Sequence, residues 1–226
     1  MNYLRMMSIG NLFEEAMNLA RCGENARAAL CFERILDFDP NNELAIYNLG
    51  VLNYRMSLFN ESADIFRRLL AYRPKDPDVF VNFGKILERG GRHEQAMVCY
   101  KKALELDLNH AEALCRSGIL LGKIHGRHEE ASVALRRAIE LAGPMAEAHH
   151  GLAICFHHLG DIQNAVIHLE TALALDPLNS AINNHLGIMY MKLGDERRAD
   201  ELFRKALELN PNRQLKHQNL WDIDIK

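Results

Sequence analysis

The 226-residue sequence has little of several features that usually identify a function. It contains one tryptophan, six prolines and no run of 18 apolar residues, so no membrane-spanning helix is predicted. Lysine and arginine number 27 and aspartate and glutamate 30, which gives a net charge of −3 and a pI near 6.4. Nucleic-acid-binding proteins usually carry a strongly basic face. The near balance of charge therefore does not predict a nucleic-acid partner.

The five cysteines lack the pattern of a metal or redox site. No two of them are spaced C-x-x-C, and an odd number cannot pair completely within one chain. We expect reduced, mostly buried thiols, as in cytosolic proteins. Residues 1–10 lack the apolar core of a secretory signal. The expected location is therefore cytoplasmic. The cysteines are Cys22, Cys31, Cys99, Cys115 and Cys155.

A repeat of 34 or 35 residues runs through most of the chain. Three series of positions recur at this interval and share one single-residue insertion. Self-similarity at this period predicts a stack of equivalent helical units. The first series, which is small, is Ala16, Gly50, Gly84, Gly118, Ala153 and Gly187. The second, also small, is Ala28, Ser62, Ala96, Ala131, Ala165 and Ala199. The third, which is large and apolar, is Phe32, Phe66, Tyr100, Leu135, Leu169 and Phe203.

Prolines and glycines divide each unit into two helices. Proline is excluded from helix interiors, and glycine closes helices in the left-handed conformation. Each unit is therefore predicted to be an αα-hairpin with helices of about 12 to 15 residues. We expect small residues, such as Gly84 facing Ala96, to let the two helices approach closely. The prolines that end units are Pro40, Pro74, Pro177 and Pro211. The glycines between helices are Gly23, Gly91, Gly126, Gly160 and Gly194.

The pattern L-G-x-x-Y…G-x-x-x-x-A…F-x-x-A…P resembles the tetratricopeptide repeat. The last unit carries all of it, in Leu186, Gly187, Tyr190, Gly194, Ala199, Phe203, Ala206 and Pro211. The resemblance covers residues 9–213 and implies an all-α fold, a right-handed αα-superhelix of six helix-turn-helix repeats. The repeats are 9–42, 43–76, 77–110, 111–145, 146–179 and 180–213. Residues 214–226 are expected to form a short C-terminal capping helix, and residues 1–226 a single solenoid domain.

The resemblance also implies that the first helix of each repeat lines a concave binding groove. The candidate groove residues are Phe13, Met17, Tyr47, Asn48, Val51, Tyr54, Arg55, Asn82, Lys85, Arg89, Arg116 and Lys123. Asn48 and Asn82 lie one repeat apart. Their side-chain amides can hold a peptide backbone, but asparagine is also common at this position in sequences of the family that the repeats resemble.

A basic residue recurs once per repeat, and two interpretations of this row stay open. Such a row favours an acidic ligand, but it also suits the C-terminal ends of the first helices. The apolar first half of the groove indicates an interaction site or internal packing. The basic row is Arg21, Arg55, Arg89, Lys123, His158 and Lys192.

The leading functional hypothesis is a non-catalytic adaptor or scaffold that binds a protein or peptide segment in its groove. The repeats leave no room for a catalytic domain, and no phosphate loop, G-x-S-x-G or H-E-x-x-H motif is present. No enzyme activity, cofactor or metal is therefore expected. One alternative is a self-assembling, homo-oligomeric scaffold, similar to proteins that coat bacterial organelles such as magnetosomes. Another is a regulatory module of a larger enzyme such as a glycosyltransferase.

The sequence contains eleven histidines, six of them between residues 149 and 185. The spacing along one helix does not suit a metal site, because ligands would have to lie three or four residues apart. We expect either solvated surface histidines or a groove whose positive charge rises below pH ~6.5.

Overall fold

The computed structural model describes residues 3–211, with side chains from residue 9 onward. The described chain consists of twelve α-helices. They are α1 (Tyr3–Arg21), α2 (Asn25–Phe38), α3 (Glu43–Arg55), α4 (Phe59–Tyr72), α5 (Pro77–Arg89), α6 (His93–Leu106), α7 (Ala111–His125), α8 (His128–Ala142), α9 (Ala146–His158), α10 (Ile162–Leu175), α11 (Ser180–Lys192) and α12 (Glu196–Leu209). The predicted all-α class is confirmed, and the twelve helices match six predicted helix pairs.

The helices belong to two compact units, which we call unit 1 (Met1–Asp107) and unit 2 (Leu108–Lys226). Unit 1 contains the hairpins α1–α2, α3–α4 and α5–α6, and unit 2 contains α7–α8, α9–α10 and α11–α12. Within each unit the second helix of a hairpin also packs on the first helix of the next. The prediction that residues 1–226 form one domain stays a prediction, and the capping helix proposed for 214–226 lies outside the described residues.

The first helix is longer than its period predicts. Helix α1 has 19 residues and begins at Tyr3, six positions before the predicted start at residue 9. No proline or glycine stands between Tyr3 and Ile9. No residue that breaks a helix therefore stands in this stretch, and the helix extends back to Tyr3.

The turns inside the hairpins follow the glycine prediction. All five predicted glycines have a positive φ, between 61° and 81°. In the second repeat Ser57 occupies the equivalent turn with φ 62°, the one non-glycine residue of the described chain in this region of the map. A serine there carries backbone strain that glycine avoids.

The small positions of the first helices accommodate large rings from the second helices. A Cβ added to Gly84 would lie 2.4 Å from Cε1 of Tyr100, and one added to Gly50 would lie 2.5 Å from Cε2 of Phe66. Both rings are fully buried. The sequence predicted that Gly84 faces Ala96. In the structure the atoms closest to an added Cβ belong to the Tyr100 ring. Reciprocal pairing of small and large residues builds the core of each hairpin.

The length and hydropathy of the helices show whether any of them could span a membrane. Within residues 3–211 we find no helix that is both long and apolar enough to cross a bilayer.

Candidate binding groove

One face of unit 1 contains two adjoining pockets between the first helices of its three repeats. We call the surface formed by both the unit-1 groove. The pocket between α3 and α5 has a volume of about 190 Å³ and is lined by Tyr47, Val51, Tyr54, Arg55, Phe66, Asn82, Lys85 and Ile86. The pocket between α1 and α3 has a volume of about 360 Å³ and is lined by Met17, Ala20, Arg21, Phe32, Asn48, Val51, Leu52 and Arg55. Val51 and Arg55 line both pockets, so the two pockets adjoin each other.

Aromatic side chains form the floor of the unit-1 groove. Tyr47 meets the edge of Phe66 at a centroid distance of 5.7 Å and an interplanar angle of 63°. Phe13 meets Phe32 in the same way, at 5.4 Å and 80°. Edge-to-face packing of this kind holds both rings in place. Tyr47 and Phe13 thus each rest on a fully buried ring of a second helix.

Two hydrogen bonds join α3 to α5 across the groove. Asn82 Nδ2 donates to the Tyr47 hydroxyl at 3.4 Å, and Arg89 Nε donates to the Tyr54 hydroxyl at 3.2 Å. Each pair is separated by 35 residues, one repeat plus one position. These bonds orient both tyrosines, whose hydroxyls retain the capacity to donate to a ligand.

The two candidate asparagines have different surroundings. Asn48 Nδ2 donates to the carbonyl of Leu44 at 2.7 Å, within its own helix. Asn82 instead reaches the neighbouring repeat through Tyr47. In the part of the chain that the structure describes, no partner is found for Oδ1 of either residue. Both amides therefore offer an acceptor to a peptide N–H.

The rim of the groove is cationic. Arg21, Arg55 and Lys85 line the pockets, and no aspartate or glutamate does. Arg21, Arg55 and Arg89 also occupy the last turns of α1, α3 and α5. Their positive charges stabilise the carbonyl ends of these helices. The two interpretations of the basic row are therefore compatible, because one side chain can serve both purposes.

The remaining two candidate residues belong to unit 2. Arg116 lies on α7 with 21% of its side chain exposed, and it pairs with Glu147 at 2.8 Å. A ligand carboxylate would have to compete with Glu147 for this guanidinium. Lys123 is exposed in the last turn of α7. Eight of the twelve candidate residues thus line the unit-1 groove, Phe13 and Arg89 contact residues that line it, and Arg116 and Lys123 belong to the other unit.

Six residues that line the groove were not among the twelve candidates. Ala20, Arg21, Leu52 and Ile86 lie on first helices, and the other two were missed because they lie on second helices. Phe32 belongs to α2 and Phe66 to α4. The Phe66 ring reaches the groove because Gly50 leaves the space that a side chain would fill. The pairing of the first and third repeat series was the signal that would have found it.

The six histidines between residues 149 and 185 are buried or half-buried, so the first of the two expectations, solvated surface histidines, is wrong for them. Burial lowers the pKa of His149 and His168, and burial with the nearby Lys192 lowers the pKa of His157 to about 4. The expected rise of charge near pH 6.5 is therefore displaced to more acidic pH for these rings. Within the described residues no group of three or more potential ligands could hold a metal ion.

Two family models match the chain. Residues 56–175, more than half of the sequence, match the family described as the middle TPR-like domain of cilia and flagella-associated protein 70. Residues 180–213 match the tetratricopeptide repeat itself, over the same range as the predicted sixth repeat.

Curated relatives are much longer than their matching segments. The TPR repeat-containing protein PA4299 of Pseudomonas aeruginosa is 40% identical over 77 residues, which is 34% of this chain and 31% of that protein. The human protein O-mannosyl-transferase TMTC3 is 24% identical over 192 residues, which is 84% of this chain and 21% of that protein. The chain therefore spans less than a third of the length of either relative.

Solved structures share the fold at low sequence identity. A tetratricopeptide repeat protein from Parabacteroides merdae aligns with a TM-score of 0.73 at 19% identity, over 89% of this chain and 80% of its own. PilW, described as a type IV pilus biogenesis factor, aligns with a TM-score of 0.76 at 20% identity, over 95% of this chain and 97% of its own. The repeat period, the helical hairpins, the two family models and these neighbours agree: the chain belongs to the tetratricopeptide-repeat family.

Proposed function

We propose that this protein is a non-catalytic adaptor that binds an acidic peptide segment with apolar anchor residues in the unit-1 groove. Repeats of this family generally serve as modules for protein–protein interaction. The observation that carries the proposal is the pair of adjoining pockets, which combine an aromatic floor with a rim of Arg21, Arg55 and Lys85 and no acidic lining residue.

The arrangement of the two pockets suits neighbouring side chains of a peptide. The pocket between α3 and α5, at about 190 Å³, is smaller than the roughly 300 to 1,000 Å³ usual for small-molecule sites, and the pocket between α1 and α3, at about 360 Å³, is near the lower end of that range. The two pockets adjoin each other at Val51 and Arg55. A chain segment can insert one apolar side chain into each pocket while its backbone passes between them.

Polar groups at the groove suit the backbone and the charges of such a segment. The acceptor oxygens of Asn48 and Asn82 match the N–H groups of a peptide whatever its sequence. Arg55 stands at the junction of the two pockets. A guanidinium there pairs with an aspartate or glutamate side chain between the two apolar anchors.

A selection from random sequences tests both parts of the proposal. A phage-displayed library of random 12-residue peptides is panned on the full chain, and the selected peptides are synthesised with a fluorescent label. We expect an excess of Asp and Glu flanking apolar residues, and anisotropy titrations in which Tyr47→Ala or Arg55→Glu weakens binding about tenfold or more. The reason is that these changes remove the floor ring or reverse the charge at the junction.

Arg67→Glu is the matched control, because Arg67 is an exposed residue of α4 paired with Asp64 and does not line the groove. It changes the net charge as Arg55→Glu does, so equal weakening by both would contradict a local role for Arg55. A library that yields no groove-dependent peptide would overturn the proposal.

Light scattering after size exclusion separates the adaptor from the self-assembling alternative. The adaptor predicts a monomer near 25.8 kDa at all concentrations. A concentration-dependent oligomer that Tyr47→Ala abolishes would instead assign the groove to a second copy of the chain.

A further inference from the structure

Histidine is distributed very unevenly between the units. Ten of the eleven histidines lie in residues 108–226, and His93 alone lies in residues 1–107. Seven of those in unit 2 contact another histidine, in sets that join neighbouring helices. They are His128, His149, His150, His157, His158, His168 and His185.

The first set joins α9 to α10. His149 Nδ1 and His168 Nδ1 lie 2.9 Å apart, a distance at which one ring must donate and the other accept. The His168 ring stacks on Phe156 at a centroid distance of 5.3 Å and an angle of 6°. The guanidinium of Arg136, from α8, lies 5.8 Å from the centroid of that same phenyl ring. A proton on His168 would place two positive groups, its own ring and the Arg136 guanidinium, against one phenylalanine, and a proton on His149 would add a third charge beside His168.

The second set joins α8, α9 and α11. The rings of His128 and His158 stack at 4.3 Å with an angle of 11°, and His157 meets His158 edge-on at 5.1 Å. Burial lowers the pKa of His157 most, and electrostatic repulsion from Lys192 of α11, His158 and His128 lowers it further. Glu129 raises the pKa of His128 but is outweighed by burial.

The third set joins α9 to α11. His150 Nε2 and His185 Nδ1 lie 2.6 Å apart, and His185 is 2% exposed. A single proton shared between the two nitrogens suits this geometry. A second proton would put two like charges in direct contact inside unit 2.

We propose that unit 2 is an acid-sensitive element, in which proton uptake by His149, His157 and His168 loosens the packing of α9 against its neighbours while unit 1 remains folded. The three histidines face basic or neutral groups: His149 faces His168, His168 faces Arg136, and His157 faces Lys192, His128 and His158. A proton added to His157 or His168 therefore meets the cost of burial and repulsion from a basic neighbour, and a proton added to His149 meets the cost of burial.

The direction of the pH effect follows from proton linkage. The pKa of each of these histidines is lower in the folded chain than the ordinary value of 6.5. Between the two values the unfolded chain binds more protons than the folded chain, so stability falls as pH falls. The stability that the neutral histidines allow is fully present above pH 6.5 and is lost progressively toward pH 4, the lower limit set by the pKa of His157.

Hydrogen exchange measured by mass spectrometry on the full chain tests the proposal, because it reports each helix separately. Protection factors, corrected for the intrinsic pH dependence of exchange, are compared at pH 7.5 and pH 5. We expect protection of α9 and α10 to fall about tenfold or more, with a much smaller change in α3 and α4. Equal loss in both units would overturn the proposal.

Substitutions identify the responsible groups. The triple variant His149→Gln, His157→Gln and His168→Gln keeps polar side chains but removes the titration, so it should lose little protection at pH 5. His93→Gln, in unit 1, is the control and should behave as the wild type. A triple variant as acid-sensitive as the wild type would contradict the proposal.

An NMR titration of the histidine rings in the wild-type chain keeps the test independent of any variant. Three unit-2 rings that titrate below pH 6 support the proposal, and rings that all titrate near pH 6.5 overturn it.

Discussion

At the scale of single residues, the core is built from glycines that face large rings. Gly84 lies in helix α5, where glycine is unfavourable by itself, since alanine stabilises exposed helix interiors by about 0.5–1 kcal/mol more. It is nevertheless required here, because a Cβ would lie 2.4 Å from Tyr100 Cε1. The Tyr100 ring cannot retreat easily, since it is fully buried and its hydroxyl donates to Glu88 at 2.8 Å.

We therefore expect Gly84→Ala to lower the free energy of unfolding by about 1–3 kcal/mol, the usual cost of overpacking. Gly10→Ala is the matched control, because Gly10 is also helical but is exposed and has no atom within 4 Å of an added Cβ. This control should raise stability by about 0.5–1 kcal/mol. Urea denaturation followed by circular dichroism measures both. If Gly84→Ala left the free energy of unfolding unchanged, the Tyr100 ring would be able to move away from the added methyl group.

Also at the scale of single residues, Arg116, His149 and His168 each contact a partner from another helix. Arg116 was expected in an open groove, but it lies against Glu147 at 2.8 Å. His149 and His168 were separate candidates for surface residues, and their ring nitrogens meet at 2.9 Å. In each case a partner from another helix changes the chemistry of a side chain whose own position was predictable.

At the scale of helices, the N-terminal end of α5 is fixed by a side-chain cap. Asp76 accepts hydrogen bonds from the backbone N–H groups of Asp78 at 3.0 Å and Val79 at 3.4 Å. Pro77 occupies the first helical position, where its missing N–H costs nothing. The N-cap of the next helix, α6, is Arg92, whose side chain makes no capping bond.

We expect Asp76→Ala to destabilise the protein by about 1 kcal/mol, within the range of 0.5–2 kcal/mol known for lost caps. Arg92→Ala changes an N-cap residue without removing a cap, and its effect should stay within about 0.5 kcal/mol. Thermal unfolding of the two variants at one pH provides the comparison. Equal losses would mean that the Asp76 side chain does not act as a cap.

At the scale of the whole molecule, the accessibility of the thiols separates surface from core. Cys22 is exposed, and the other four cysteines are buried. Burial raises the pKa of Cys99 to about 11 and that of Cys155 to about 12, so these thiols stay protonated at neutral pH. The expectation of mostly buried, unpaired cysteines agrees with this arrangement.

Reaction with a disulfide reagent such as DTNB at pH 7.5 should modify one thiol quickly in the folded chain and five in guanidinium chloride. The thiolate is the reactive species. Burial restricts access to the other four thiols and raises the pKa of Cys31, Cys99 and Cys155. Cys22→Ser should abolish the fast phase and leave the total in denaturant at four. Fast reaction of two or more thiols in the folded chain would contradict the burial of the core cysteines.

The sequence by itself determined the repeated architecture of this protein. Its 34-residue period, the prolines that end units and the glycines with positive φ act locally, within a few residues, so pattern and sterics were enough to predict hairpins. The family resemblance named eight of the residues that line the unit-1 groove, and their role in binding stays a prediction. The tertiary structure alone decided which side chains touch across repeats, such as Tyr47 with Asn82 or His150 with His185. These partners are 35 residues apart, and their meeting depends on how helices pack and which rotamers fit, which no local pattern encodes.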